Sequence, residues 1–525
     1  MSKSRCNAAA LAVMTATLAS AMPGCRELDP TQVLIRVEAD PLATARGYSL
    51  SVDIWNQEGQ LRLTGPRPLI GSNNPLVLPT TIPVVPQFKD SERTFRIRVE
   101  LLDASGKAFN RYEGIGSFVR NQIVERSIVL IDPCNDVLCG DGLTCAEGVC
   151  QAIAPLPAPA VAAAVLEVGA GLRFASPCAA LAAAVDGDVI SIHAGTYAGE
   201  ACVITQNGLT LRGVDGTPII DAAGATVEEK ALWLVRGNGT LIENVELRNA
   251  TAPGNEGAAI WAEGKDLTLR GVTVRSSQVA LFAADREDSN VLVERCEFDR
   301  NGGTVGNVHT LNVGRLRRFI LRESWAHDGV VGHLVKARAL DTLIETNRLT
   351  QQTGSGSYEI DLPVGGRAIV IGNVLQQDGN SQNPTMLSYG LEGLADPAAA
   401  SNYLYVVNNT FVTQTGGGIQ FARIDGAMKG PVRFASNVFA GTGSITSFPA
   451  AQLDANCTDP GPFRDEAQYD FRLNAGSACI DACIDASAGS PVPLRAERQY
   501  VHPRASEPRV AAGAVDCGAF ELAPP

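Results

Sequence analysis

The chain has 525 residues, a formal net charge of −13 and a pI of about 5.0. A chain of this length exceeds one ordinary compact core, which predicts several domains or one long repeat domain. The acidic balance excludes general nucleic-acid binding, because that function needs a broad basic face. The 52 glycines and 29 prolines indicate many turns and few long helices.

The first 25 residues, MSKSRCNAAALAVMTATLASAMPGC, have the pattern of an export signal, because Lys3 and Arg5 precede a short apolar run that a polar chain follows. The run is too short for a membrane span. The segment MPGC resembles a bacterial lipoprotein cleavage box ending at Cys25, although Met22 and Pro23 depart from that pattern. Two localisations follow: a lipoprotein anchored through Cys25 at the outer membrane or cell surface, or a secreted protein. A lipid on Cys25 is the one membrane contact that we expect.

Residues 30–132 alternate apolar and polar side chains in QVLIRVEA, YSLSVDIW, TFRIRVELL and IVERSIVLI. This pattern predicts an antiparallel β-sandwich of about seven strands. Residues 133–151 contain CNDVLCGDGLTCAEGVC, whose four cysteines predict a small knot with two disulfides and resemble a fragment of an epidermal-growth-factor-type module. A zinc site is disfavoured, because no C-x₂-C pair or neighbouring histidine is present. The Pro/Ala-rich residues 152–164 predict a linker.

Seven further cysteines follow the linker. Cys178 is expected to bridge Cys202, and Cys296 is left as a buried, inert thiol. Two more bridges are expected within a C-terminal group made of Cys457, Cys479, Cys483 and Cys517. The total of 13 cysteines is typical of proteins in an oxidising compartment, in agreement with export.

From residue 165 the sequence consists of short repeats, written nine times as LTLRGV, LIENVEL, LTLRGVTV, VLVERCEF, FILRESW, LIETNRL, IVIGNVL, YVVNNTF and VRFASNVF. Asparagine recurs at positions 347, 373, 409 and 437, in steps of 26, 36 and 28 residues. Each unit is too small to bury a core of its own, so the units must stack. A period in the twenties without a helical pattern predicts a solenoid of parallel strands over residues 165–525. Leucine-rich repeats are the main alternative, but their Leu-x-x-Leu-x-Leu spacing is absent.

The segment DGDVISIHAGTYAGE (residues 186–200), followed by LTLRGVDGTPIIDAAG, resembles the opening coils of right-handed parallel β-helix proteins of the pectate-lyase-like (pectin lyase fold) superfamily. Near the C-terminus, YDFRLNAGSACID and DCGAFE resemble the closing segment of the same proteins. The resemblance implies an all-β chain with a right-handed parallel β-helix after the sandwich and the disulfide-rich module. It does not specify a function, because the superfamily includes polysaccharide lyases, glycoside hydrolases, adhesins and structural proteins.

One column of side chains across successive coils can be predicted from the spacing. Segments that begin at His309, His333, Tyr358 and Met386 follow one another in steps of 24, 25 and 28 residues, and we expect them to pair in one parallel sheet. Because side chains alternate between the faces of a strand, the core is expected to receive Leu311, Val335 and Ile360. The outer face is expected to carry Asn312, Lys336, Asp361 and Tyr389, flanked by Arg338 and Glu359.

The histidines of this region have a different expected role. His309 and His333 fall on the inward parity at the start of their strands, which favours structural, hydrogen-bonded histidines over catalytic ones. His327, in WAHDGVVGH, is expected in a loop that reaches over the outer face.

The charge around the column predicts an anionic ligand, because the stretch from Arg315 to Arg338 carries +4 within a chain of −13. Polyuronate lyases of the superfamily that the chain resembles remove a proton with a basic residue, and calcium offsets the charge that develops. On that resemblance, the candidate catalytic residues are Lys336, Arg338 and Tyr389, and the candidate calcium ligands are Asp361 and Glu359. The candidate substrate-binding residues are Asn312, His327, His333 and Arg318.

The predicted function is therefore binding of an acidic polysaccharide on the outer face of the solenoid, with cleavage by β-elimination left open. The sequence lacks the Arg-x-Pro-x-x-Arg pattern of the main pectate-lyase family and the paired-Asp signature of the polygalacturonase-type hydrolases. The alternative is a non-enzymatic surface or adhesion protein with the β-helix as scaffold, in which Lys336 and Asp361 form an ordinary surface ion pair.

Overall fold

The computed structural model describes residues 31–522, apart from 41–42, 45, 58, 64, 70–75, 87–93, 120–122, 147, 157–163, 305–307, 396–400, 489, 491 and 511–512. The export signal and Cys25 therefore lie outside the described residues. The chain divides into two compact units between residues 159 and 160. In the described part, no helix is long and apolar enough to cross a membrane.

The first unit contains two sheets that share one apolar core. The three-stranded sheet has the order Thr80–Val84, Gln32–Ala39, Ile123–Leu130. The five-stranded sheet has the order Leu61–Leu63, Ser49–Trp55, Thr94–Leu102, Ala108–Ser117, with Arg67–Pro68 also paired to Ser49–Trp55. Side chains from both sheets, such as Ile35, Val52 and Val99, are buried together, as alternating strands require.

The first unit is the predicted antiparallel sandwich with one exception, because Gln32–Ala39 and Ile123–Leu130 run parallel. These are the first and last described strands of the sandwich, and the chain passes through the other sheet between them. No hairpin therefore forces them into opposite directions.

Ten of the described cysteines pair as five disulfides. In the module that follows the sandwich, a 3₁₀ turn (Asp132–Cys134) and a hairpin (Leu143–Ala146 with Val149–Ala152) are joined by Cys134–Cys145 and Cys139–Cys150. The second unit contains Cys178–Cys202, Cys457–Cys479 and Cys483–Cys517. Cys296 is the one free thiol among the described cysteines, and burial raises its pKa to about 12. Five disulfides are typical of a protein exported to an oxidising compartment.

The second unit is a parallel β-helix, which confirms the predicted fold class. Each coil passes through three sheets, here named A, B and C. Sheet A contains 12 strands: Val165–Val168, Val189–His193, Thr210–Val214, Leu241–Glu243, Leu267–Arg270, Arg286–Glu294, Leu316–Arg322, Asp341–Glu345, Arg367–Ile371, Tyr403–Val407, Val432–Ala435 and Gln452–Asp454.

Sheets B and C contain 10 strands each. Sheet B is formed by Thr196–Ala198, Ile219–Asp221, Glu246–Arg248, Thr273–Arg275, Glu297–Asp299, Trp325–His327, Arg348–Thr350, Val374–Gln377, Thr410–Thr413 and Val438–Ala440. Sheet C is formed by Cys202–Ile204, Ala231–Val235, Ala258–Ala262, Val279–Ala283, Leu311–Val313, Val335–Ala337, Ile360–Leu362, Thr385–Tyr389, Ile419–Ile424 and Gly443–Ser444.

Short elements complete the described structure. The α-helix Pro177–Leu181 covers the first coil, and Ser176 caps it by accepting a hydrogen bond from the backbone N–H of Ala179. Two 3₁₀ turns span Pro253–Asn255 and Glu466–Gln468. Two hairpins near the C-terminus pair Phe463–Asp465 with Asp470–Leu473 and Arg498–Val501 with Ala505–Pro508.

An asparagine ladder holds successive coils together at the corner between sheets A and B. The side-chain amide of Asn347 donates to Asn373 at 2.9 Å, and the same bond repeats to Asn409, Asn437 and Asn456 at 2.9–3.0 Å. A residue with a left-handed backbone precedes each of the four predicted ladder positions, for example Gly372 at φ 67°. The recurring asparagine therefore marks a sharp corner whose buried polar groups are satisfied by the next coil.

Candidate functional site

The outer face of sheet C carries the predicted column. Leu311, Val335 and Ile360 pair in register and point into the core with no exposed surface. Their neighbours Asn312, Lys336 and Asp361 pair in the same way and lie on the opposite face. Three consecutive positions of the predicted column are thus in the expected register.

The prediction is wrong at the fourth position, which is Ser388 and not Tyr389. Asp361 pairs with Ser388, whereas Tyr389 pairs with the inward-facing Leu362. Tyr389 is fully buried, and its hydroxyl donates to the backbone carbonyl of Gly366 at 2.5 Å. The alignment of Met386 with Tyr358 is one residue too long, and a shift of one residue exchanges the two faces of a strand.

Lys336 and Arg338 together hold one carboxylate, that of Glu392. The Lys336 ammonium lies 2.6 Å from Oε1 of Glu392, and the Arg338 guanidinium lies 2.9 Å from Oε2. Glu392 belongs to the loop after strand Thr385–Tyr389, and its side chain is 46% exposed. Burial alone would raise the pKa of Glu392, but hydrogen bonds from the two cations lower it below its ordinary value. Because Glu392 lies in a loop, no strand periodicity in the sequence predicts its pairing with the two cations.

Asp361 is the second carboxylate on Lys336. Its Oδ2 lies 3.2 Å from the Lys336 ammonium and 3.4 Å from Nε2 of His333, and its Oδ1 accepts a hydrogen bond from Ser388. The Lys336 side chain is only 9% exposed. Burial raises the pKa of Asp361, although the bonds from Ser388 and Lys336 act in the opposite direction.

The surroundings of the two predicted calcium ligands, Asp361 and Glu359, disfavour a divalent cation. Asp361 already binds Lys336, whose positive charge opposes a divalent cation at the same oxygen. Glu359 is completely buried, both of its carboxylate oxygens lack a hydrogen-bond partner, and burial raises its pKa well above the ordinary value. A buried carboxyl group whose pKa is raised is a poor ligand for a hard cation.

His309 and His333 form a stack along the sheet. Their rings are 4.4 Å apart, and Nδ1 of each accepts a backbone N–H from the next coil, at 3.1 Å from His333 and at 3.2 Å from Tyr358. An accepting Nδ1 leaves the proton of a neutral ring on Nε2. Burial, together with Lys336, lowers the pKa of His309 to about 2 and that of His333 to about 3. Both rings are therefore neutral, and Nε2–H of His333 is directed at Asp361.

The column continues in the other direction into aromatic residues that the sequence analysis missed. Asn312 pairs with Phe282, and Phe282 pairs with Trp261. The two rings stack with centroids 3.9 Å apart, and both side chains are partly exposed. Extension of the same register through the earlier strands AAIWA and VALFA would have identified them.

His327 and Arg318 do not join the column, contrary to the prediction. His327 ends strand Trp325–His327 of sheet B, where it binds Asp328 at 2.8 Å, and Arg318 lies in strand Leu316–Arg322 of sheet A. The chain turns between these strands at Glu323, which has φ 51°. The sequence pattern did not reveal this corner, so residues of three different sheets were assigned to one face.

His327 lies in an acidic cluster with Glu297 and Asp299, whose ligand atoms are within 4.8 Å of one another. Arg275 already pairs with both carboxylates, at 2.7 Å from Glu297 and 2.5 Å from Asp299. Both carboxylates are therefore already bound to an arginine of the protein.

Comparison with known proteins identifies no family: no family model and no curated protein matches the chain. The solved structures that are similar to it include the following three. Pectin methylesterase from Aspergillus niger has 17% identity and a TM-score of 0.34 over 48% of this chain and 87% of its own. A family 28 exopolygalacturonase from Yersinia enterocolitica has 10% identity and a TM-score of 0.26 over 79% and 95%. The catalytic unit of a GH87 α-1,3-glucanase from Streptomyces thermodiastaticus has 9% identity and a TM-score of 0.23 over 82% and 87%.

Proposed function

We propose that this chain is an exported protein that binds an acidic polysaccharide along the outer face of sheet C. The observation that carries the proposal is the pair of cations, Lys336 and Arg338, which hold a single carboxylate from a partly exposed loop. A carboxylate of a uronate residue has the same chemistry as the side chain of Glu392. A uronate carboxylate can therefore replace Glu392 between Lys336 and Arg338. Its hydrogen bonds to the two cations would be charge-assisted, which makes them stronger than bonds between neutral groups.

The shape of the column suits a polymer. From Trp261 to Ser388 the column crosses six adjacent strands, which at about 4.8 Å per strand extends over roughly 24 Å. Aromatic side chains lie at one end and charged side chains at the other. This combination provides an apolar surface for sugar rings and fixed polar groups for their substituents.

Binding is favoured over β-elimination by the contacts of Lys336. To remove a proton, Lys336 would first have to lose the ion pairs with Asp361 and Glu392. Tyr389 is bonded in the core and does not reach the column. Cleavage is therefore tested separately from binding, by the appearance of unsaturated products. The proposal includes a location outside the cytoplasm, either through a lipid on Cys25 or by secretion.

The test is calorimetric titration of the full chain with hexagalacturonate and with an uncharged hexasaccharide. We expect saturable binding of the acidic ligand only, with affinity lost in Arg338→Met and reduced in Phe282→Ala. Arg212→Met, which removes an exposed, ion-paired arginine of sheet A, is the matched control and should bind normally. Equal loss of affinity in Arg212→Met would contradict the proposed location.

Parallel incubations with calcium and with a chelator should be followed by the ultraviolet absorbance of unsaturated products. An increase in absorbance would establish a lyase. The absence of binding to any acidic polymer would leave the scaffold or adhesion function.

A further inference from the structure

Arg348 is a buried arginine without a compensating anion. It lies on the outer face of sheet B, where it pairs with Trp325 of the preceding coil, and only 8% of its surface is exposed. Within the part of the chain that the structure describes, its guanidinium forms no hydrogen bond or ion pair, and its buried Nε has no acceptor. This situation is rare, because buried charged groups in proteins are nearly always paired.

The carboxylates near Arg348 are already bound to other cations. Glu297 pairs with Arg275 at 2.7 Å, and Asp470 pairs with Arg472 at 2.6 Å. Neither is within ion-pair distance of Arg348 in the described structure. The charge of Arg348 is therefore not balanced by the protein around it.

Aromatic rings provide the direct surroundings of the guanidinium. Its Cζ atom lies 5.8 Å from the ring centroid of Trp325 and 5.9 Å from that of Tyr469. His502 is exposed to solvent, and its ring packs edge-on with the ring of Trp325, with the two centroids 4.5 Å apart. A cation–π contact of a desolvated cation contributes about 2 kcal/mol, less than the several kcal/mol that removal of a charge from water costs. Burial also lowers the pKa of the guanidinium.

We propose that Arg348 forms the base of a small oxyanion site between sheet B and the C-terminal segment, with Trp325, Tyr469 and His502 at its border. The ligand is a carboxylate or sulfate group, either free or carried by a sugar. A planar guanidinium with all of its N–H donors unused can bind such a group through two parallel bonds. The site lies on a different sheet from the Lys336 column and does not depend on the function proposed for that column.

The first test uses inorganic sulfate as the probe, titrated by calorimetry into the full chain at constant ionic strength. We expect one saturable site in the wild type, weaker binding in Arg348→Lys and loss of binding in Arg348→Met. Arg300→Met is the matched control, because Arg300 is an exposed arginine that follows strand Glu297–Asp299 of sheet B and is paired with Asp299, and this variant should bind sulfate normally. Galacturonate, titrated in the same way, distinguishes a sugar-borne carboxylate from a free inorganic anion, and tighter binding of either one agrees with the proposal.

A purely structural cation–π role predicts a different result. Without sulfate, Arg348→Met should then be less stable than the wild type, and the wild type should bind neither anion. The oxyanion site predicts the reverse. In the absence of an anion, Arg348→Met is at least as stable as the wild type. Sulfate raises the melting temperature of the wild type and of Arg300→Met, but not that of Arg348→Met. If Arg348→Met does not fold, selenate soaked into crystals of the wild type should give an anomalous peak beside the Arg348 guanidinium. A peak elsewhere only would overturn the proposal.

Discussion

Replacement of Glu392 by glutamine should strengthen ligand binding, because Glu392 occupies the position proposed for a ligand carboxylate. Its oxygens lie 2.6 Å from the Lys336 ammonium and 2.9 Å from the Arg338 guanidinium. The Glu392 side chain is 46% exposed. Its ion pairs therefore contribute as much to the free energy of unfolding as a surface pair does, up to about 1 kcal/mol. Glutamine keeps the size and an acceptor oxygen and removes the charge.

The ligand-free Glu392→Gln protein should therefore lose about 1 kcal/mol of unfolding free energy, and its affinity for hexagalacturonate should rise about fivefold. Because the pKa of Glu392 is lowered in the folded protein, its contribution to stability is present above the ordinary glutamate pKa and is lost as the pH falls below it. Both measurements belong at neutral pH and low salt, by urea denaturation and calorimetry.

Asp454→Asn is the matched control for this prediction. Asp454 is a partly exposed carboxylate that pairs with Arg433 on sheet A, away from the column. It should lose a similar amount of stability with no change in affinity. Unchanged or weaker binding by Glu392→Gln would show that Glu392 belongs to the ligand-binding surface and does not compete with the ligand.

Three further predictions concern stability. Asn409→Ala should cost at least about 3 kcal/mol in urea denaturation, because it leaves the buried backbone N–H of Asn373 without an acceptor and removes the hydrogen bonds that Asn409 donates to Val370 and Asn437. A loss below about 1 kcal/mol would contradict the role of the ladder. Burial alone would raise the pKa of Glu294, but neighbouring arginines lower it to about 2. The ionised Glu294 therefore contributes about 3 kcal/mol to the free energy of unfolding above pH ~4.5, and this contribution is lost as the pH falls toward 2. The stability difference between wild type and Glu294→Gln should shrink over that range, and a constant difference would refute the assignment. Replacement of Cys178 and Cys202 together by alanine should cost about 3 kcal/mol, as expected for a closed loop with a separation of 24 residues, whereas an unchanged melting temperature would contradict it.

The fold could be predicted from the sequence to the level of individual strand pairs. The alternation of apolar and polar residues placed Leu311, Val335 and Ile360 in the core, and the recurring asparagines marked one corner of the coil. Both patterns are local, since each depends on a few residues that repeat from coil to coil. The parallel pair in the first unit was not predictable in this way, because it joins the first and last described strands of the sandwich.

The candidate site could be predicted only where its residues belong to the repeating strands. Lys336 and Asp361 follow the register of their coils, whereas Tyr389 was misplaced because the preceding loop changes the spacing by one residue. Glu392 lies in a loop, where no periodicity fixes the direction of a side chain. Arg348 could not be singled out either, because its lack of a partner depends on where Arg275 and Arg472 place the neighbouring carboxylates.

A crystal structure of the full chain with hexagalacturonate would test the central claim most directly. We predict a sugar chain along the outer face of sheet C, with a uronate carboxylate bonded to Lys336 and Arg338 and with Glu392 displaced. A sugar ring should contact Phe282 or Trp261 in the same complex. Ordered ligand on another sheet, with the Glu392 ion pairs intact, would contradict the proposed function.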